Sequence, residues 1–160
     1  MTLNDELHRS MSRLVGTWRT EGEIIDGGEQ DGQQWNGYDL YQWFPGEQMM
    51  VHRVDVTMFG KRSESIELFI PRVGEAQTFD QTSYAADGTV ERAVGSFDSQ
   101  GRYHNDLEDV RATLTFIGTD SMHALWESRT NGVWTDWMNV TFSRVGKPDI
   151  HIRSRTDHEA

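Results

Sequence analysis

The stretch LVGTWRTEGEI, residues 14 to 24, decides how the chain is read. Gly16, Thr17 and Trp18 open a strand-like run immediately after a short helical pattern. A strand that begins in this way is the reading expected for the first strand of a closed β-barrel. The rest of the chain must then supply evenly spaced strands and tight turns.

The spacing of glycines meets that requirement. Gly32, Gly46, Gly60, Gly74, Gly88, Gly101, Gly118 and Gly132 are separated by 14 residues in five of seven gaps, and by 13 and 17 in the others. Several stand in turn dipeptides, among them Asp31-Gly32, Pro45-Gly46, Asp87-Gly88 and Asn131-Gly132. Between them, apolar residues alternate. Met50, His52, Val54, Val56 and Met58 share one face, as do Ala112, Leu114 and Phe116, and Met138, Val140 and Phe142. Ile66, Leu68 and Ile70 form another such set.

Such a repeat leaves about ten residues per strand, roughly 33 Å. Long strands joined by tight turns favour an all-β, up-and-down antiparallel barrel of about nine or ten strands over a sandwich. Residues 102 to 117 read either as one bent strand or as two short ones. A helix is expected over residues 4 to 13, where Leu3, Leu7, Met11 and Leu14 form a stripe and Thr2 or Asn4 can cap it. The expected organisation is one barrel domain over residues 1 to 146 and a polar tail over 147 to 160. Ile150 and Ile152 in that tail offer a short alternating piece.

Gly16-Thr17-Trp18, after a short helix, resembles the G-x-W signature of the lipocalin-like (calycin) barrels. In those families the tryptophan packs across the closed end, and a basic residue of the last strand often lies against its ring. The resemblance puts Trp18 and Arg144, the latter in VTFSRV, in those places; a guanidinium over an indole face is a favourable cation–π pair. More closely, YQWFPGEQMMVHRVDV, SYAADGTV and WTDWMNVTFSRV resemble an uncharacterised group of small bacterial proteins within that superfamily. The resemblance spans most of residues 14 to 145 and implies a fold, not an activity.

Composition excludes several functions. With no cysteine there is no disulfide, zinc-thiolate site or thiol nucleophile. The opening MTLNDELHRSMSRL lacks the apolar core of a signal peptide, and no apolar run is long enough to span a membrane, so a cytoplasmic protein is expected. A net charge of −11 disfavours nucleic acid and anionic lipid surfaces.

No hydrolase elbow, zinc helix, phosphate loop or dinucleotide fingerprint is present. DGGEQDGQQW, from Asp26, lacks the ligand pattern of a calcium loop and reads as a polar hairpin loop. His104, Asp106 and Glu108 alternate, but as a charged turn or edge rather than a metal site; no metal and no cofactor is expected. His52 stands among apolar residues facing the interior, with Glu64 as its expected partner. Gln81, Trp126 and Met138 join His52 as expected lining residues. Gln81 shares a face with Phe79, and Trp126 with Met122 and Ala124, while strand two admits either face, Tyr41 and Trp43 or Leu40 and Phe44.

The function expected is binding of a small apolar or amphipathic molecule inside the barrel. One alternative is an isomerase, cyclase or hydrolase using His52 as acid and base. Another is a haem-binding barrel; some barrels of the resembled superfamily hold haem through a last-strand histidine, whereas Trp137 stands near that register here. A homodimer would be favoured by exposure of Trp35, Trp134 or Trp137.

Overall fold

The computed structural model describes residues 3–151. The helix α1 (Asp5–Ser12) precedes ten strands: β1 (Gly16–Ile24), β2 (Gln34–Trp43), β3 (Met50–Met58), β4 (Lys61–Pro71), β5 (Thr78–Ala85), β6 (Val90–Phe97), β7 (Tyr103–Asp106), β8 (Val110–Ile117), β9 (Ser121–Thr130) and β10 (Val133–Gly146). Each strand pairs antiparallel with its neighbours in sequence, and β1 pairs with β10 to close the barrel. Residues 102 to 117 are two strands, β7 and β8. No helix among the described residues is long and apolar enough to cross a membrane. Ile152 lies outside the described residues; Ile150 N–H donates to the Gln42 side chain at 3.1 Å.

All eight regularly spaced glycines have φ between 69° and 94°, the left-handed turn conformation. At the β9–β10 hairpin, Asn131 and Gly132 have φ of 52° and 77° and join the paired residues Thr130 and Val133. That is the two-residue turn whose twist matches the flanking strands.

The opening stretch alternates as a half-buried strand should. Trp18, Thr20, Gly22 and Ile24 are buried, whereas Arg19, Glu21 and Glu23 are exposed. Gly22 is needed for close approach: a Cβ there would overlap the Trp35 indole.

The two ends of the barrel differ. One is filled by Phe69, Phe79, Phe97 and Tyr103, with Phe69 and Phe79 stacked at 5.0 Å. The helix plugs this end. Asn4 caps it by accepting from Leu7 N–H at 2.8 Å, and Leu7, Met11 and Leu14 are buried. Trp18 is fully buried, and its indole N–H donates to the Leu14 carbonyl at 2.7 Å.

Arg144 crosses the same end. Its guanidinium carbon lies 4.2 Å from the Trp18 ring centroid. It donates to the carbonyls of Val15, of Arg13 at 3.0 Å and of Thr119 at 3.0 Å. Gly16 makes room, because a Cβ there would meet the guanidinium. One cation thus ties the chain after the helix to the β8–β9 turn.

The expected inward face of β4 is overturned. Ile66 and Ile70 are 42% and 45% exposed and lie on the outer surface. Ser63, Ser65 and Glu67 line the interior instead, with Phe69 buried beyond them. His52 pairs across the sheet with Glu67, which fixes this register. Strand β2 buries Trp35, Asp39 and Tyr41.

Replacing Arg144 with alanine removes the stack and the carbonyl contacts together, and should cost about 2–3 kcal/mol. Replacing exposed Val145 with alanine should cost less than about 0.5 kcal/mol. Urea denaturation of the two variants beside the parent checks both.

Candidate functional site

The interior opens, away from the helix, into a cavity of about 520 Å³. Its base is a belt of buried polar side chains across the middle of the barrel. Tyr41 on β2, His52 on β3 and Glu67 on β4 are successive cross-strand partners, so alternation brings all three inside at one level.

His52 is the centre of the belt. Its Nε2 donates to Asp39 Oδ1 at 2.7 Å. Its Nδ1 stands 2.6 Å from Glu67 Oε1, off line for a straight hydrogen bond, so this is an ion-pair contact. The Tyr41 ring stacks on the imidazole at 3.9 Å with an interplanar angle of 7°. Each carboxylate has a second donor: Thr20 Oγ1 donates to Asp39 Oδ2, and Gln81 Nε2 donates to Glu67 Oε2 at 3.0 Å. The Tyr103 hydroxyl donates in turn to Gln81 Oε1.

These contacts set the charges. Burial opposes a charge on His52, but Asp39 and Glu67 outweigh it and hold the pKa at about 9. Burial likewise pulls Glu67 upward, and His52 and Gln81 overcome it, leaving the carboxyl below its ordinary value. Burial, with the neighbouring carboxylates, pushes the Tyr41 and Tyr103 phenols well above their ordinary range. At neutral pH the belt is an imidazolium between carboxylates, flanked by neutral phenols.

Above the belt the walls are largely apolar: Val54, Val56, Met58, Trp126, Trp137 and Met138 line the cavity. Two buried polar atoms on the lining have no partner, Trp35 Nε1 and Asn105 Oδ1. Unpartnered buried groups are costly.

The structure places His52, Gln81, Trp126 and Met138 on this one cavity. Trp18 and Arg144 are at the plugged end, stacked on one another. Glu64 is not the partner of His52. It lies outside, where Arg53 donates to it at 2.6 Å. Glu67, Asp39 and Tyr103 were not expected in the site, and Tyr41 belongs to one of the two faces that strand two left open. For Asp39, alternation with Tyr41 was a usable signal once the buried face of β2 was chosen. For Glu67 there was none, because its strand looks apolar on the other face.

Other polar clusters resolve as surface structure. His104 Nε2 lies 2.8 Å from Asp98, and no group of three or more His, Asp or Glu among the described residues is arranged to hold a metal. Asp26 and Asp31 accept from backbone N–H groups of their own hairpin loop. Trp35 is buried and Trp137 half-buried, and Trp134 lies beneath Arg111 at 4.2 Å. Among the described residues, no histidine on this lining is free to ligate a haem iron. His52 is the only histidine on the cavity lining among the described residues, and both its nitrogens face carboxylates. His123 pairs with Asn139 at 3.2 Å and is not on the lining.

No protein-family model and no curated protein matches the chain. Solved structures do. The chain is similar to Rv2717c from M. tuberculosis, with 13% identity and a TM-score of 0.64, covering 90% of this chain and 99% of that one. It is also similar to the S-type phycobiliprotein lyase CPES from Guillardia theta, with 10% identity and a TM-score of 0.56, covering 92% and 99%. These likenesses are of fold: a closed barrel of ten antiparallel strands with a short N-terminal helix.

The belt predicts how stability depends on pH. The folded chain keeps a proton on His52 that the unfolded chain releases near 6.5, its ordinary value. The stabilisation is therefore complete below about pH 6.5 and lost as pH rises through about 9. The loss should be on the order of 3 kcal/mol. His52→Gln should destabilise the protein at pH 7 by about 3–5 kcal/mol, leaving two buried carboxylates without their cation, and should abolish the alkaline decline. Denaturant midpoints of both proteins from pH 6 to 9.5 check the slope and its loss.

Proposed function

We propose that the barrel binds a small amphipathic molecule, with its polar end at the Asp39–His52–Glu67 belt and its body among the apolar walls. The cavity of about 520 Å³ carries this reading, because a buried charged belt forms its base while the wall above combines apolar side chains with serine hydroxyls. Its size falls in the range of small-molecule sites, about 300–1,000 Å³.

Binding is favoured over catalysis by the state of His52. A general base needs a free nitrogen and a pKa near the working pH. Here one nitrogen donates to Asp39, the other faces Glu67, and the ring stays protonated at neutral pH. Such a group holds its neighbours in place; it does not readily take a proton from a guest.

Native mass spectrometry of the purified protein, compared with its denatured mass, should reveal an added small molecule or, after incubation with phenylnaphthylamine, stoichiometric uptake of that probe. Ser65→Trp, which places an indole on the cavity wall, should reduce uptake at least about tenfold. A bare chain that takes up no probe, or uptake undiminished in the filled variant, would overturn the reading.

A further inference from the structure

The charge of the cavity selects the chemistry of its guest. The acidic side chains on its lining are Asp39, Glu67 and Glu91, and no lysine or arginine of the described chain stands among the lining residues. Against them is His52 alone. With the imidazole protonated the belt carries one negative charge in excess, and with it neutral, two. Either way the base of the cavity is negative. Glu91, exposed on the wall, adds to the same sign.

The two central carboxylates are not sealed. The Glu67 and Asp39 side chains retain 14% and 9% of their accessible surface. As cavity-lining groups they present that surface to the interior space. Each oxygen already accepts or faces one donor, and a carboxylate oxygen has room for a second. Low-dielectric walls strengthen the attraction between these carboxylates and an opposite charge placed against them. The lining also includes the indoles of Trp35, Trp126 and Trp137, and aromatic rings attract cations.

From this we infer that the guest is an organic cation: an ammonium group on an apolar or aromatic body, seated with its charge against Asp39 and Glu67. The inference rests on the cavity-binding reading and narrows it. Two cations, His52 and the guest, would then face two carboxylates, which removes the excess charge. A fatty acid or other carboxylate would bring a third anion to the same place, with no basic residue on the lining to receive it.

Three probes of one shape separate the possibilities: naphthylethylamine, naphthylethanol and naphthylacetate, each titrated calorimetrically into the whole protein at neutral pH. The amine should bind at least about tenfold tighter than the alcohol, and the acetate at least about tenfold weaker than it. Glu91→Gln should cut the advantage of the amine about twofold to threefold without changing the alcohol. Glu67→Gln should abolish most of that advantage while still binding the alcohol. Should the Glu67 variant not fold, the Glu91 variant and the parent protein's ranking decide the matter. Equal affinities, or a tighter acetate, would overturn the cation while leaving the cavity reading intact. Failure of all three probes to bind would overturn that reading, and this inference with it.

Discussion

The contact on which the interior depends is His52 held between Asp39 and Glu67, at 2.7 Å and 2.6 Å. Ions are expensive to bury, at several kcal/mol each even after relaxation. The cost is offset only because every member has further partners: Thr20 on Asp39, Gln81 on Glu67, Tyr103 on Gln81 and Tyr41 over the imidazole. These residues come from β1, β2, β3, β4, β5 and β7. More than half the wall is therefore bound to one charge arrangement. A slip of β4 by one residue would send Glu67 outward and leave the buried imidazolium with Asp39 as its one carboxylate partner. The belt thus penalises wrong registers more severely than hydrophobic packing alone would.

The belt also separates two regimes of packing. Towards the helix, Phe69, Phe79, Phe97 and Tyr103 fill the barrel with rings, and Arg144 and Trp18 lock its rim. On the other side the inner residues of β4 and β5 are serines: Ser63, Ser65 and Ser83. Small side chains there leave the space that the rings fill at the other end. Close aromatic packing is concentrated at the plugged end, and the opposite end is hollow.

The parts legible in the sequence were those set by local chemistry. Glycine spacing marked the turns because each requires positive φ, and the helix stripe and its Asn4 cap were equally local. The inward face of β3 was readable because His52 stands in an apolar row. The face of β4 was not. Ile66 and Ile70 look like core by alternation, yet they lie outside, and the inward residues are Ser63, Ser65 and Glu67. Alternation reveals two faces but not which one a barrel encloses when its interior is itself polar. The partner of His52 was missed for the same reason: Glu64 and Glu67 differ by parity, and parity follows from register, which is a property of two strands rather than one.

That inversion on β4 is informative in its own right. A barrel selected only for stability would place isoleucines inside and serines outside. Here the outer isoleucines are tolerated within a surface of strand formers and ion pairs: Ile66 lies across from Tyr84, and nearby Arg53 reaches Glu64 at 2.6 Å while Arg62 reaches Asp55 at 2.7 Å. β-Branched and aromatic residues suit an exposed pleated surface, so the outer face has an account that needs no partner. The inner face has no such account. The belt enforces register, but neither the serine hydroxyls beyond it nor the open volume they leave adds stability that apolar side chains would not supply at lower cost. Departures from the simple pattern are expected where a site requires them, and in this chain they converge on a single cavity.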